Sequence, residues 1–188
     1  MMTKNFRSTA VWVVLILLLV AVIELSFGRL GFYEKGPIRF WTGESNGPEN
    51  SQQISDPYTF SHIIHGFAFY GLTALLPPQV SLGARLIIAT VAESGWEVLE
   101  NSSIIIDRYR AATSSLGYSG DTVLNSICDI LAMIIGFYLA RRLPIWATIL
   151  LTVVIELVSL YFIRDNLTLN IVMLVYPIQA IKTWQLAL

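Results

Sequence analysis

Long apolar runs constrain this chain more than any other feature. The run VWVVLILLLVAVI occupies residues 11–23 and lies within a stretch, 9–27, that carries a single charged residue. A helix needs about 20 mainly apolar residues to cross the hydrocarbon of a bilayer. No small-x-small cleavage site follows this run before Arg29. We therefore interpret it as a retained membrane helix rather than a signal peptide.

Further apolar stretches extend this interpretation to the whole chain. The pattern predicts an all-α fold, a polytopic transmembrane bundle of about six helices that forms one integral-membrane domain over residues 1–188. The predicted helices cover about residues 9–27, 59–76, 81–101, 121–140, 145–163 and 167–182, and polar segments 29–58 and 102–120 connect them. Pro177 interrupts the sixth stretch, so whether that stretch crosses the bilayer stays open.

The composition excludes several classes of protein. Charged residues make up 13% of the 188 residues, whereas a soluble domain carries about a quarter. Hydrophobic residues make up 55%, which excludes a disordered chain. The net charge of −1 leaves no basic surplus for a nucleic-acid partner. The single cysteine, Cys128, excludes an internal disulfide framework.

The basic residues predict an orientation for the bundle. Six crossings place both termini on one side, together with six bases and no acid: Lys4, Arg7, Arg85, Arg141, Arg142 and Lys182. The other side also has six bases, but in about twice as many loop residues. Because Lys and Arg concentrate in cytoplasmic loops, their density favours both termini inside a bacterial inner membrane. The segments 29–58 and 102–120 would then face the periplasm.

A row of acids on the third predicted helix needs an explanation. Glu93, Glu97 and Glu100 are spaced i, i+4 and i+7, so they share one helix face. An acid within a bilayer costs a few kcal/mol or more, which makes each one a functional hypothesis. Three stacked carboxylates also repel one another and need protons, a cation or guanidinium partners.

Two neighbouring helices present polar faces at the same level. Asp121, Asn125 and Asp129 are spaced i, i+4 and i+8, and His62 and His65 are spaced i and i+3. We therefore predict a polar centre between the second, third and fourth predicted helices, in their periplasmic half. The alternative is a purely structural, hydrogen-bonded core.

Single residues of this set also have simple structural interpretations. Asp121 follows Gly120 and has the position of an N-cap. His62 and His65 fit an interfacial layer in which each ring nitrogen finds a partner. Glu24 ends the first helix, where we expect it to be solvated.

Other charged residues allow similar interpretations. Arg108 and Arg110 fit contacts with lipid headgroups or with Asp107. Glu156 stands alone in the fifth predicted helix, where we expect it to pack against Arg164.

The stretch ESGWEVLENSSIIIDRYRAATSSLGYSGDTVLNSICD, residues 93–129, resembles the signature of a family of small, uncharacterised bacterial inner-membrane proteins. The resemblance implies the membrane location but no activity. A looser resemblance reaches the VanZ-like proteins, which are associated with glycopeptide resistance and the cell envelope. The residues that match their pattern are Glu97 or Glu100, Arg108, Asp121, Asn125 and Gly136, while Asp129 departs from it.

The first functional hypothesis is an envelope enzyme that acts on a lipid-linked or phosphate-bearing substrate. Arg108 and Arg110 would hold an anionic head group. Glu97 and Asp121, with Glu100 beside them, would supply a general acid or base. A divalent cation would have His62, His65, Glu97 and Asp129 as its ligands, although this spacing matches no known metal motif.

Two other hypotheses belong to different classes of protein. Carboxylates with histidine also suit the proton relay of an ion-coupled transporter. However, Glu156 is the main ionisable residue in the inward half of the helices, whereas a transport pathway needs polar groups on both sides of the midplane. The third hypothesis is a non-catalytic assembly or binding subunit that docks a partner on segment 29–58.

Overall fold

The structure, a computed structural model, describes residues 2–187 and the side chains of residues 7–187. The side chain of Lys4 lies outside the described residues. Over the described range the chain forms eight helices and no strand, which confirms the all-α class. The helices are α1 (Met2–Ser26), α2 (Thr59–Ala74), α3 (Leu82–Glu100), α4 (Ser103–Ala112), α5 (Val123–Arg142), α6 (Ile145–Ile163), α7 (Leu167–Val175) and α8 (Gln179–Leu186).

Three of these helices are long and apolar enough to cross a membrane, fewer than the six that the sequence predicts. They are α1 over Arg7–Ser26, α5 and α6. Helix α2 has only 16 residues, and α3 carries Arg85 in addition to its three glutamates. The spanning window of α6 has no fully buried residue, so this helix exposes most of its apolar surface, although Ile163 at its end is buried.

The sixth predicted stretch, 167–182, is broken. Helix α7 ends at Val175 and α8 begins at Gln179, because Pro177 cannot continue a helix. Glu156 stabilises the start of α7, since its carboxylate accepts hydrogen bonds from the backbone N–H groups of Leu167 at 3.0 Å and Thr168 at 3.1 Å. The expected pairing of Glu156 with Arg164 is therefore wrong.

The two polar connections are more ordered than their composition suggests. Helix α4 forms inside the predicted connection 102–120. Segment 29–58 is fastened to the start of α5: Gln52 Nε2 donates to the carbonyl of Gly120 at 2.8 Å, and Asn125 Nδ2 donates to the carbonyl of Gln53 at 3.0 Å. This segment therefore covers one end of the bundle.

The other end of the bundle is apolar and closely packed. Its buried cluster, called the apolar end below, consists of Val20, Leu86, Ala89, Ile130, Met133 and Phe137. Helices α2 and α5 touch backbone to backbone beside it. A Cβ atom on Gly66 would lie 2.1 Å from the carbonyl oxygen of Met133, and one on Gly136 would lie 2.2 Å from that of Ile63. Small residues allow such close approach between membrane helices.

Candidate functional site

The close contact between α2 and α5 places the two histidines of α2 opposite the acids of α3 and α5. His62 Nδ1 lies 2.6 Å from Glu93 Oε1. His65 Nδ1 lies 3.0 Å from both oxygens of the same carboxylate. Glu93 is fully buried and thus joins two imidazole rings of another helix. One nitrogen from each histidine and a Glu93 oxygen all lie within 4.8 Å of one another, as the ligands of one metal ion would.

Two further carboxylates face His62. Glu97 Oε1 lies 3.3 Å from His62 Nδ1, and Asp129 Oδ2 lies 3.9 Å from His62 Nε2. Both acids are almost completely buried, at 1% and 4% exposure. Within the described part of the chain, Glu97 Oε1 and Asp129 Oδ1 accept no hydrogen bond. We call His62, His65, Glu93, Glu97 and Asp129 the His–carboxylate cluster.

Asp121 lies nearer the end of the bundle and has its own partners. Its carboxylate accepts hydrogen bonds from Tyr118 Oη at 2.9 Å and from Asn101 Nδ2 at 3.1 Å, while its backbone N–H donates to Asn101 Oδ1 at 2.6 Å. Burial raises the pKa of Asp121 to about 6. Thr122, and not Asp121, is the N-cap of α5, because its hydroxyl accepts from the backbone N–H of Asn125.

A cavity of about 170 Å³ connects the His–carboxylate cluster with Asp121. The ionisable residues of its wall are Tyr58, His62, His65, Glu100, Tyr109, Tyr118, Asp121 and Asp129. Burial and the neighbouring Glu100 carboxylate raise the pKa of Tyr109 well above its usual range. Apolar groups line another part of the wall, namely Trp96 of α3 with Leu167 and Ile171 of α7. The cavity wall therefore carries both ionisable and apolar groups.

The two predicted anion-binding arginines do not line this cavity. Arg108 Nε donates to the carbonyl of Leu174 at 2.9 Å and so closes the C-terminal end of α7. Arg110 Nε donates to the carbonyl of Tyr118 at 2.6 Å, and its Nη1 lies 3.5 Å from Asp107. The structure thus brings together the predicted histidines and acids, but it places both guanidinium groups on backbone carbonyls elsewhere.

Several residues of the site escape prediction from the sequence. Glu24 is fully buried, close to the hydroxyl of Ser126, so the expectation of a solvated side chain is wrong. Asn170 of α7 accepts a hydrogen bond from Tyr109 Oη at 2.9 Å and thereby joins α7 to α4. Tyrosines and asparagines are common in loops, so their type and spacing carry no signal for this role.

Comparisons with other proteins assign the chain to a family. Residues 24–187 match the family described as "Protein of unknown function (DUF2585)". A UPF0314 protein of Paracoccus denitrificans is 48% identical over 97% of this chain and 95% of its own length. The UPF0314 protein NGR_c32320 of Sinorhizobium fredii is 51% identical over 97% of this chain and 94% of its own. This chain therefore belongs to the DUF2585 family of bacterial proteins.

The family membership confirms the resemblance to an uncharacterised bacterial family. No solved structure matches the chain. None of these matches bears on VanZ-like proteins, so that looser resemblance stays a prediction.

Proposed function

We propose that this protein is an enzyme of the bacterial inner membrane that acts on a lipid-linked or phosphate-bearing substrate of the cell envelope. The observation that carries the proposal is the mixed lining of the cavity, which has both ionisable and apolar residues. A polar head group would lie against His62, Glu100 and Asp121, and an apolar chain would leave past Trp96 and Ile171. One of the helices long and apolar enough to span a membrane, α5, contributes Asn125 and Asp129 to this wall.

Acid–base chemistry at Asp121 and Glu100 follows from their surroundings. A general acid or base works best with a pKa near the operating pH, and burial raises the pKa of Asp121 to about 6. The hydroxyl of Tyr118 holds this carboxylate in place from inside the cavity wall. We assign the proton-transfer role to Asp121, a supporting role to Glu100, and no role in head-group binding to Arg108 and Arg110.

The apolar end favours an enzyme over an ion-coupled transporter. An apolar layer lies directly beside the His–carboxylate cluster and extends up to two helical turns beyond it; it includes Leu86, Ala89, Ile130, Met133 and Phe137. An ion that entered the cavity would have to cross this layer, where desolvation is costly. A site that opens at one side suits a reaction at one leaflet.

Our proposal includes five membrane crossings, by α1, α2, α3, α5 and α6, with the cavity open to the periplasm. We do not include the stretch 167–182 as a crossing, because Gln185 Nε2 donates to the carbonyl of Arg164 at 3.1 Å and α8 therefore returns to the side where α7 begins. The burial of Glu93 and Glu97 supports this placement of α3, because acids within a bilayer face the interior of a bundle. A matched pair of cysteine variants tests it: Ser119→Cys and Gln79→Cys, both at exposed positions, in a Cys128→Ala background. We expect a membrane-impermeant thiol reagent to label only Ser119→Cys from the periplasm, and the reverse pattern would refute the orientation.

The function itself is tested by deleting the gene from a bacterium that carries it and profiling lipids and cell-wall precursors. We expect one lipid-linked or phosphorylated species to accumulate and to disappear when the wild-type gene is returned. Asp121→Asn should fail to restore the profile, whereas Asp107→Asn, at an exposed acid outside the cavity, should restore it. Full restoration by Asp121→Asn, at equal protein abundance in the membrane, would refute the proposed role of this residue.

A further inference from the structure

We infer that the His–carboxylate cluster binds one divalent transition-metal ion of the zinc or manganese kind. Its direct ligands are His62 Nδ1, His65 Nδ1, Glu93 and Glu97, and Asp129 is an outer carboxylate that holds the His62 ring. This inference goes beyond the proposed function and does not depend on it.

Hydrogen-bond counting is the first argument. The Nδ1 atom of His62 carries at most one proton, yet it faces Glu93 at 2.6 Å and Glu97 at 3.3 Å. His65 points its Nδ1 at the Glu93 carboxylate as well. One oxygen of Glu97 and one of Asp129 accept no hydrogen bond from any described residue. Buried polar atoms are normally satisfied, and a metal ion bound by Glu97 would satisfy its free oxygen.

Charge is the second argument. Among the described residues, Glu93, Glu97 and Asp129 form ion pairs only with the two histidines. Even with both imidazoles protonated, two positive charges would face three negative ones in a nearly dry site. A dication bound to neutral imidazoles supplies the same two positive charges, but concentrates them at one point that carboxylate oxygens can contact directly, and buried charges are paired or bind metals.

The geometry is the third argument. Ligand atoms about 2.1 Å from a metal ion lie roughly 3.0–3.4 Å from one another in octahedral or tetrahedral sites. The separations of 3.0 and 3.3 Å fall in this range, and the separation of 2.6 Å between His62 and Glu93 is a few tenths shorter. Three ligand atoms from two helices thus lie within 4.8 Å of one another, close enough for one ion to bind all three after a small adjustment.

The surroundings complete the pattern of a metal centre. A histidine that binds a metal through one ring nitrogen usually faces a carboxylate with the other, which fixes its tautomer. Asp129 holds this place at 3.9 Å from His62 Nε2. Both histidines also line the cavity, which gives an ion a path of entry. Mixed imidazole and carboxylate ligands suit zinc, manganese and iron better than calcium, which prefers oxygen ligands throughout.

The experiment measures metal in the full-length protein purified in detergent without chelators, by inductively coupled plasma mass spectrometry. We expect about one transition-metal ion per chain. After chelator treatment, calorimetric titration with Zn²⁺ and with Mn²⁺ should show one saturable site for at least one of them. A wild-type protein that contains no metal and binds neither ion saturably would overturn the inference.

Matched variants locate the ion. Glu93→Gln and His65→Ala should weaken metal binding at least tenfold, whereas Glu100→Gln, a cavity residue on the same helix outside the cluster, should leave it unchanged. Retention of the ion by both cluster variants would overturn the assignment. X-ray absorption spectroscopy of the metal-loaded wild-type protein gives a result that does not depend on the folding of any variant. We expect the spectrum to show two imidazole ligands, and a spectrum without imidazole ligands would refute the site.

The metal test and the test of function have separate outcomes. Loss of metal in Glu93→Gln speaks only to the cluster, whereas the lipid profile of Asp121→Asn speaks to the reaction. A protein that binds the ion but leaves the lipid profile unchanged on deletion would support the metal site and refute the proposed function.

Discussion

The polar and apolar ends of the bundle are built from the same helices but are held together differently. On α5, Asp129 belongs to the His–carboxylate cluster and the next residue, Ile130, belongs to the apolar end. On α3, one helical turn separates Glu93 from Ala89. The apolar end depends on shape, because Gly66 and Gly136 let two backbones touch. The polar end depends on matching charges and hydrogen bonds, which is where chemistry becomes available.

This contrast explains why close packing and a reactive site can coexist in a short chain. Membrane helices gain little hydrophobic free energy by associating, so small residues and interhelical polar contacts supply the attraction. The contact of Gly66 and Gly136 sets the distance between α2 and α5, and therefore the distance between His62 and Asp129. The apolar end therefore acts as the rigid support of the polar end.

The largest effect is expected from Gly136→Val at the apolar end. Its side chain would collide with the Ile63 carbonyl and force α2 and α5 apart, at a cost of about 3 kcal/mol or more. We expect little folded protein by size-exclusion chromatography in detergent. Gly95→Ala is the control, because a Cβ atom there meets no atom within 4 Å. Normal folding of Gly136→Val would mean that close backbone contact does not hold the bundle.

The next largest effect is expected at the polar end, where a substitution tests the inferred metal site. Asp129→Asn removes the outer carboxylate of His62, and losses of this kind typically weaken metal binding about 10- to 100-fold. Competition with a chelator of known affinity measures the change. Asp107→Asn, at an exposed acid, should bind as tightly as wild type. Wild-type affinity in Asp129→Asn would remove Asp129 from the metal centre.

The buried acids near the polar end should make stability depend on pH. Burial raises the pKa of Asp165 from 3.8 to about 6, so between these values the folded state binds the proton more strongly than the unfolded state. This contribution favours folding below about pH 4 and is lost as the pH rises through about 6. The Tm of Asp165→Asn should therefore fall less than that of wild type between pH 4 and 7, by about 2–4 °C for each kcal/mol. Parallel pH profiles would contradict the shift.

The smallest effect is expected where α7 joins the cavity wall. Tyr109→Phe removes the hydrogen bond to Asn170 Oδ1, which should cost about 1 kcal/mol. Thermal unfolding measures the change against Tyr176→Phe, whose ring is 74% exposed. Equal stability of the two variants would mean that this bond does not hold α7 in place.

The sequence predicted the apolar helices well, because their signal is local. The predicted range 145–163 coincides with α6, and the predicted range 81–101 begins at Ser81, the N-cap of α3. However, the sequence overcounts the helices long and apolar enough to span a membrane. The i, i+4 spacing of Glu93 and Glu97 likewise predicted a shared polar face, and both now face His62. Helical periodicity fixes such faces before any tertiary contact forms.

The sequence failed where a long side chain chooses among distant partners. Arg108 reaches the carbonyls that end α7, and Glu156 caps the start of the same helix, although neither contact is visible from spacing. Glu24 is a residue at a helix end that the fold buries. In each case the partner lies in another element, and its position depends on how the helices pack.

The sequence by itself determined that the chain is helical, that three of its helices are long and apolar enough to span a membrane, and that acids and histidines occupy single faces. These properties follow from composition and from a period of 3.6 residues. Only the tertiary structure decided that Glu93 lies between two histidines, that Asp121 is held by Tyr118 and Asn101, and that α7 completes the cavity. The reason is physical: helix periodicity sets which way a side chain points, but only packing sets what it meets.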